Sequence, residues 1–147
     1  MATDDNALRH ARSVRYSNSM KRARFLVDVA NGEAPPPSEI PWYVVEHHYL
    51  HSMALITYLR HLPRWGDKRS KRFLDTLVAL LSDEGRDPLA PRATKTRSTA
   101  RRRPTFGWLV DSRAQGRRVL AWLSLTQPRE TPWVGWPLSP PPPRGDE

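Results

Sequence analysis

Between Pro41 and Pro63 lie twenty-one residues with neither glycine nor proline, and that uninterrupted run limits the fold more than any other feature. Pro41 sits where the first turn of a helix tolerates a missing N–H, with Ser38 or Ile40 as the cap. Trp42, Val45, Tyr49, Ile56 and Leu59 fall on one stripe at helical spacing, and Val44, Leu55 and Leu62 widen it. A helix apolar over so much of its circumference belongs at the centre of its domain. The spacing predicts one helix over 41–62.

Other helices gather round it. Thr3, Asp4 and Asp5 are cap types with charge suited to a helix start, and Leu8, Ala11 and Val14 follow at helical spacing. A second segment from about Ser19 to Ala30 places Met20, Ala23, Leu26, Val27 and Ala30 on one side, and Asn31–Gly32 supplies a left-handed stop. Pro35 to Pro37 then force an extended link. Beyond the break at Pro63, Phe73, Leu74, Leu77, Val78, Leu80 and Leu81 mark a further helix that ends at Gly85. The short connection predicts that it pairs with the central helix as a hairpin. A last ordered segment over 105–125 offers Trp108, Leu109, Val119, Leu120, Trp122 and Leu123 for burial, although Gly107 and Gly116 weaken it as a helix.

The expected fold class is therefore all-α. It is a small bundle of three to five helices built around a helix hairpin, about 41–62 and 70–84, with a disordered basic linker and a proline-rich C-terminal tail. The boundaries read as a helical domain over 1–85, a flexible basic linker over 86–104, a C-terminal helical segment over 105–126 and a Trp/Pro-rich tail over 127–147.

The charge is what points toward a partner. Twenty Arg and four Lys stand against fifteen acids, a net charge of +9 that favours a polyanion. Arginine matters in its own right, because its planar fork of donors matches phosphate and stacks on bases. The stretch RHLPRWGDKRSKR carries Arg60, Arg64, Lys68, Arg69, Lys71 and Arg72 against the single acid Asp67, with Trp65 in its middle. Cations at a helix start oppose the helix dipole, and a docked anion reverses that penalty. Trp65 has two readings here, stacking on a base or on Arg64, or folding into the core. Lys95, Arg97, Arg101, Arg102 and Arg103 form a second, flexible basic arm, and Arg113, Arg117 and Arg118 a third stripe beside Trp122. No helix-turn-helix, zinc-finger or RRM signature accompanies them, so nucleic-acid binding is expected to be largely sequence-tolerant.

Catalysis finds little support. The absence of cysteine removes disulfides, thiolate zinc sites and a thiol nucleophile. Nucleophile elbows, phosphate loops and dinucleotide-binding turns are likewise missing. His47 and His51, four apart on the expected helix with His48 beside them, form the candidate metal pair. One helix cannot easily wrap three of its own neighbours round an ion, and Glu46 precedes the histidines rather than separating them. The expectation is a non-enzymatic protein without cofactor.

The tail offers a protein partner instead. Trp133 and Trp136 precede Pro140, Pro141, Pro142, Pro143 and Arg144, a run close to the proline-rich ligands of SH3 domains, but Ser139 stands where the first spaced proline belongs. With no apolar signal-peptide core and no long apolar window, the chain is expected in the nucleus or cytoplasm, not secreted and without a transmembrane segment. An anionic membrane surface is the less favoured target of its charge. Two functions follow. The first is a basic accessory or regulatory protein that binds nucleic acid, RNA or DNA. The alternative is a protein–protein adaptor, of the kind viruses encode as accessory factors, docking host or partner proteins through its helical hairpin and tail.

Overall fold

The computed structural model describes residues 2–82 and 104–127. These form six α-helices, two 3-10 turns and no strand, so the all-α class holds for the described residues. In chain order the helices are α1 (Ala2–Asn31), α2 (Ile40–Glu46), α3 (Leu55–His61), α4 (Gly66–Ser82), α5 (Phe106–Leu109) and α6 (Arg117–Thr126), with 3-10 turns at His48–Leu50 and Ser112–Ala114.

Helix α1 joins what the sequence divided in two. Nothing between Val14 and Ser19 can stop a helix, so the chain runs through as thirty residues. It ends at Asn31–Gly32 as expected: Gly32 takes φ +74°, and the N–H of Glu33 donates to the carbonyl of Asp28 at 2.8 Å. The face it buries is turned from the expected one, of which Leu26 alone packs against the core. Phe25 and Val29 enter the core, while Met20 and Val27 remain more than half exposed.

The segment 41–62 is not one helix. It divides at His47, where φ is −120° and ψ 81°, passes through the 3-10 turn and resumes at Leu55. The reason lies far along the chain. The N–H groups of Phe106 and Gly107 donate to the carbonyls of Met53 and His51 at 3.0 and 2.9 Å, and that of Leu55 donates to Pro104 at 2.9 Å. An isolated bridge pairs Ala54 with Thr105. These bonds use backbone groups that a continuous helix would bond internally. The break shifts the helical phase, so Trp42 and Val45 of the expected core stripe are 59% and 57% exposed.

Helix α4 starts at Gly66, earlier than the expected 70, and packs on α3 across a four-residue connection and on α6. The C-terminal segment is likewise not one helix, since Gln115 and Gly116 adopt left-handed φ of 53° and 77° ahead of α6. Its Trp122 is fully buried, and the indole N–H donates to the carbonyl of Pro37 at 2.7 Å, binding α6 to the proline link. Tyr58 lies centrally among Phe25, Phe106 and Trp122, at ring distances of 6.1, 5.2 and 6.3 Å. Burial pushes its phenol above the ordinary range. Among the described residues no helix is long and apolar enough to cross a membrane.

Candidate nucleic-acid interface

The basic run of 60–72 covers the end of α3, the turn and the first two turns of α4. Arg64 in the turn has φ +68° and Gly66 φ +64°. Left-handed backbone is free for Gly66 but costs Arg64 about 1 kcal/mol. Ser70 then fastens the start of α4 from within, buried and donating to the carbonyl of Gly66 at 2.7 Å.

Asp67 divides the six cations. Its carboxylate accepts from Arg60 Nε and from Lys71 Nζ, each at 2.8 Å. The Lys71 hydrogen bond holds that carboxyl below the usual range, desolvation opposes it, and the charges of Lys71 and Arg60 add to the lowering. Arg60 and Lys71 are thus partly neutralised within the fold. Among the described residues Arg64, Lys68, Arg69 and Arg72 have no carboxylate partner.

Those four line one open groove of about 1090 Å3, with Trp65 and Phe73 on the same side and Pro37, Leu125, Thr126 and Gln127 from the link and the end of α6. Among the described residues Asp67 is the one acid in its lining. Trp65 is half-buried: its ring meets Phe73 edge-on at 5.2 Å between centroids, and the Arg69 guanidinium lies over it. It therefore combines the two expected roles, and its stacking partner is Arg69 rather than Arg64.

The third basic stripe keeps two exposed cations, Arg113 and Arg117, and loses Arg118 to the core. Arg113 is held by Asp111 at 2.7 Å, Arg117 Nε donates to the carbonyl of Ala114, and Arg118 is fully buried, donating to Trp108 O at 2.7 Å with its guanidinium over the Trp108 ring. Lys95, Arg97, Arg101, Arg102 and Arg103 of the arm, and Trp133, Trp136, Pro140 to Pro143 and Arg144 of the tail, lie outside the described residues.

The histidines act on the backbone. His47 Nδ1 donates to the Tyr43 carbonyl at 2.7 Å and His51 Nε2 to the Val44 carbonyl at 2.9 Å. Because the helix breaks at His47, the three imidazoles do not share one helical face, and the His48 and His51 rings meet at a tilt, 4.4 Å between centroids. Among the described residues no group of three or more His, Cys, Asp or Glu side chains could hold a metal ion.

Sequence reasoning missed one basic surface. Arg9, Arg12 and Arg15 are all exposed on α1, and the signal was an absence: no Asp or Glu occurs between Asp5 and Asp28. No protein-family model matches the chain, and neither a curated protein nor a solved structure matches it.

Proposed function

We propose that this protein is a non-enzymatic accessory or regulatory factor that binds nucleic acid largely without sequence specificity. One observation carries the reading: Arg64, Lys68, Arg69 and Arg72 converge on a single groove beside the partly buried indole of Trp65, with one acid among the described lining residues. Apart from the Arg69 contact with Trp65, the arrangement works against folding, since like charges in one cleft repel and oppose the dipole of α4. A phosphate backbone in the groove meets both the guanidinium forks and the edge of Trp65. In this reading Lys95, Arg97 and Arg101 to Arg103 act as an additional arm, and the site of action is the nucleus or cytoplasm.

The test is binding of labelled DNA and RNA oligonucleotides by the full chain and by a variant with all four cations changed to Gln. Loss of most binding at unchanged helicity supports the reading. Equal binding by both proteins rejects it.

A second reading, a protein–protein adaptor, is favoured by Trp42 and Val45, which stand exposed together on α2 three residues apart. Pulldowns with and without nuclease separate the two. Partners that persist after digestion, and are lost in Trp42→Ala, support the adaptor.

A further inference from the structure

From Asp4 to Ser17 every residue of α1 is exposed, so about four turns of helix stand unpacked around their whole circumference. Helix α1 is docked further along. Arg22 donates to Tyr49 O and Ser52 Oγ at 3.2 and 3.4 Å, Lys21 lies 5.7 Å from the Tyr49 ring centre, and Phe25 and Val29 are buried.

An unpacked helix with no covering partner is polar all round or carries an apolar stripe. Its free half carries only a thin apolar arc: Leu8, Ala11 and Val14 spread over about 120°, all exposed, with one small residue in the middle, and Tyr16 lies off that arc. That arc is poor for a helix lying on a membrane or in an apolar protein groove, both of which need a broad apolar face. The cations follow another order. At about 100° per residue, Arg15, Arg12 and Arg9 succeed one another in steps of about 60° over about a third of the circumference of the free half, and Arg24, on the docked half, continues the sweep. All four are exposed. Asp4 and Asp5 occupy the first turn, where they favour the dipole and bound the cationic stretch.

A fan of that width on side chains as long as arginine reaches negative charge on two flanks of the helix at once, and the major groove of B-form DNA supplies it. The groove is about 12 Å wide, a helix with its side chains about 10–12 Å, and phosphates line both lips. The A-form major groove of duplex RNA is too narrow and deep for a helix to enter. We propose that the free half of α1 lies in the major groove of duplex DNA, with Arg9, Arg12 and Arg15 contacting phosphates on both walls. The inference rests on the nucleic-acid reading above and narrows its partner to B-form duplex.

The test compares the full chain with a triple variant, Arg9→Gln, Arg12→Gln and Arg15→Gln. Gln preserves helix propensity, so circular dichroism should be unchanged. On duplex DNA the triple variant should show a salt slope shallower by about 2.7, at about 0.9 for each phosphate that the three guanidinium groups neutralise, and a triple Lys variant should keep the slope of the parent. Dimethyl sulfate should find guanine N7, in the major groove, protected by the parent and exposed with the triple Gln variant. An unchanged slope, protection of the minor-groove adenine N3 instead, or equal losses on duplex RNA would overturn the inference while leaving the groove around Trp65 as the binding surface. Loss of binding to phosphatidylserine vesicles, with DNA binding intact, would overturn it in favour of a membrane. Failure of the parent to bind any nucleic acid would reject the inference together with the reading beneath it.

Discussion

The guanidinium of Arg69 lies over the indole of Trp65, 4.2 Å from the ring centre, while the ring edge rests against Phe73. The contact fixes a cation at the mouth of the groove and holds the indole half in the core. A cation–π pair of this exposure contributes about 0.5–1 kcal/mol. Arg69→Gln should lower stability by that amount in urea unfolding. Lys68→Gln, at an exposed neighbour with no ring contact, should stay within about 0.5 kcal/mol of the parent.

Asp67 restrains the groove. Its carboxyl titrates below the usual range because Lys71 hydrogen-bonds it and Lys71 and Arg60 charge its surroundings. A lowered folded pKa means that the pairing is intact above the ordinary carboxylate range and is lost as pH falls through the lowered value. Asp67→Asn should release Arg60 and Lys71 at neutral pH. Nucleic-acid binding should then tighten, with a salt slope steeper by up to about 2, read by fluorescence anisotropy.

Strong acid should loosen the turn before α6. Arg113 hydrogen bonds, from side chain and then backbone N–H, hold the Asp111 carboxyl down to about 2. Its contribution is complete above the ordinary value near pH 4, is lost as pH falls from there toward 2, and should vanish in Asp111→Asn. Urea midpoints measured across that window in the two proteins check the difference.

Gly107 is needed for space rather than for backbone freedom. A Cβ there would stand 3.0 Å from the His51 carbonyl oxygen and 3.3 Å from His51 Cβ, in the pairing that breaks the 41–62 segment. Gly107→Ala should destabilise by about 1–3 kcal/mol, the range for an overpacked site. Urea unfolding measures it.

What the sequence revealed depended on distance along the chain. Helix α4 was legible because Leu74, Leu77 and Leu81 keep their own period between glycine and proline, and the Asn31–Gly32 stop is a local signal. The break at His47 was not, because Pro104 to Gly107 enforce it from more than fifty residues away. On α1 both the Met20–Val27 side and the Phe25–Val29 side are apolar, and the choice is made by rings on other segments: Tyr43 and Tyr58 stack on Phe25 at 5.8 and 6.1 Å. The basic run of 60–72 was visible as composition. Its division was half visible, since Asp67–Lys71 is an i, i+4 pair, whereas Arg60 reaches Asp67 only through the shape of the turn.

The most direct test of the groove is the slope of log affinity against log salt on duplex DNA, for the parent and for the variant with Arg64, Lys68, Arg69 and Arg72 changed to Gln. Four phosphate contacts at about 0.9 each predict a slope shallower by about 3.6 in the variant. Two equal slopes, with both proteins folded, would contradict the account.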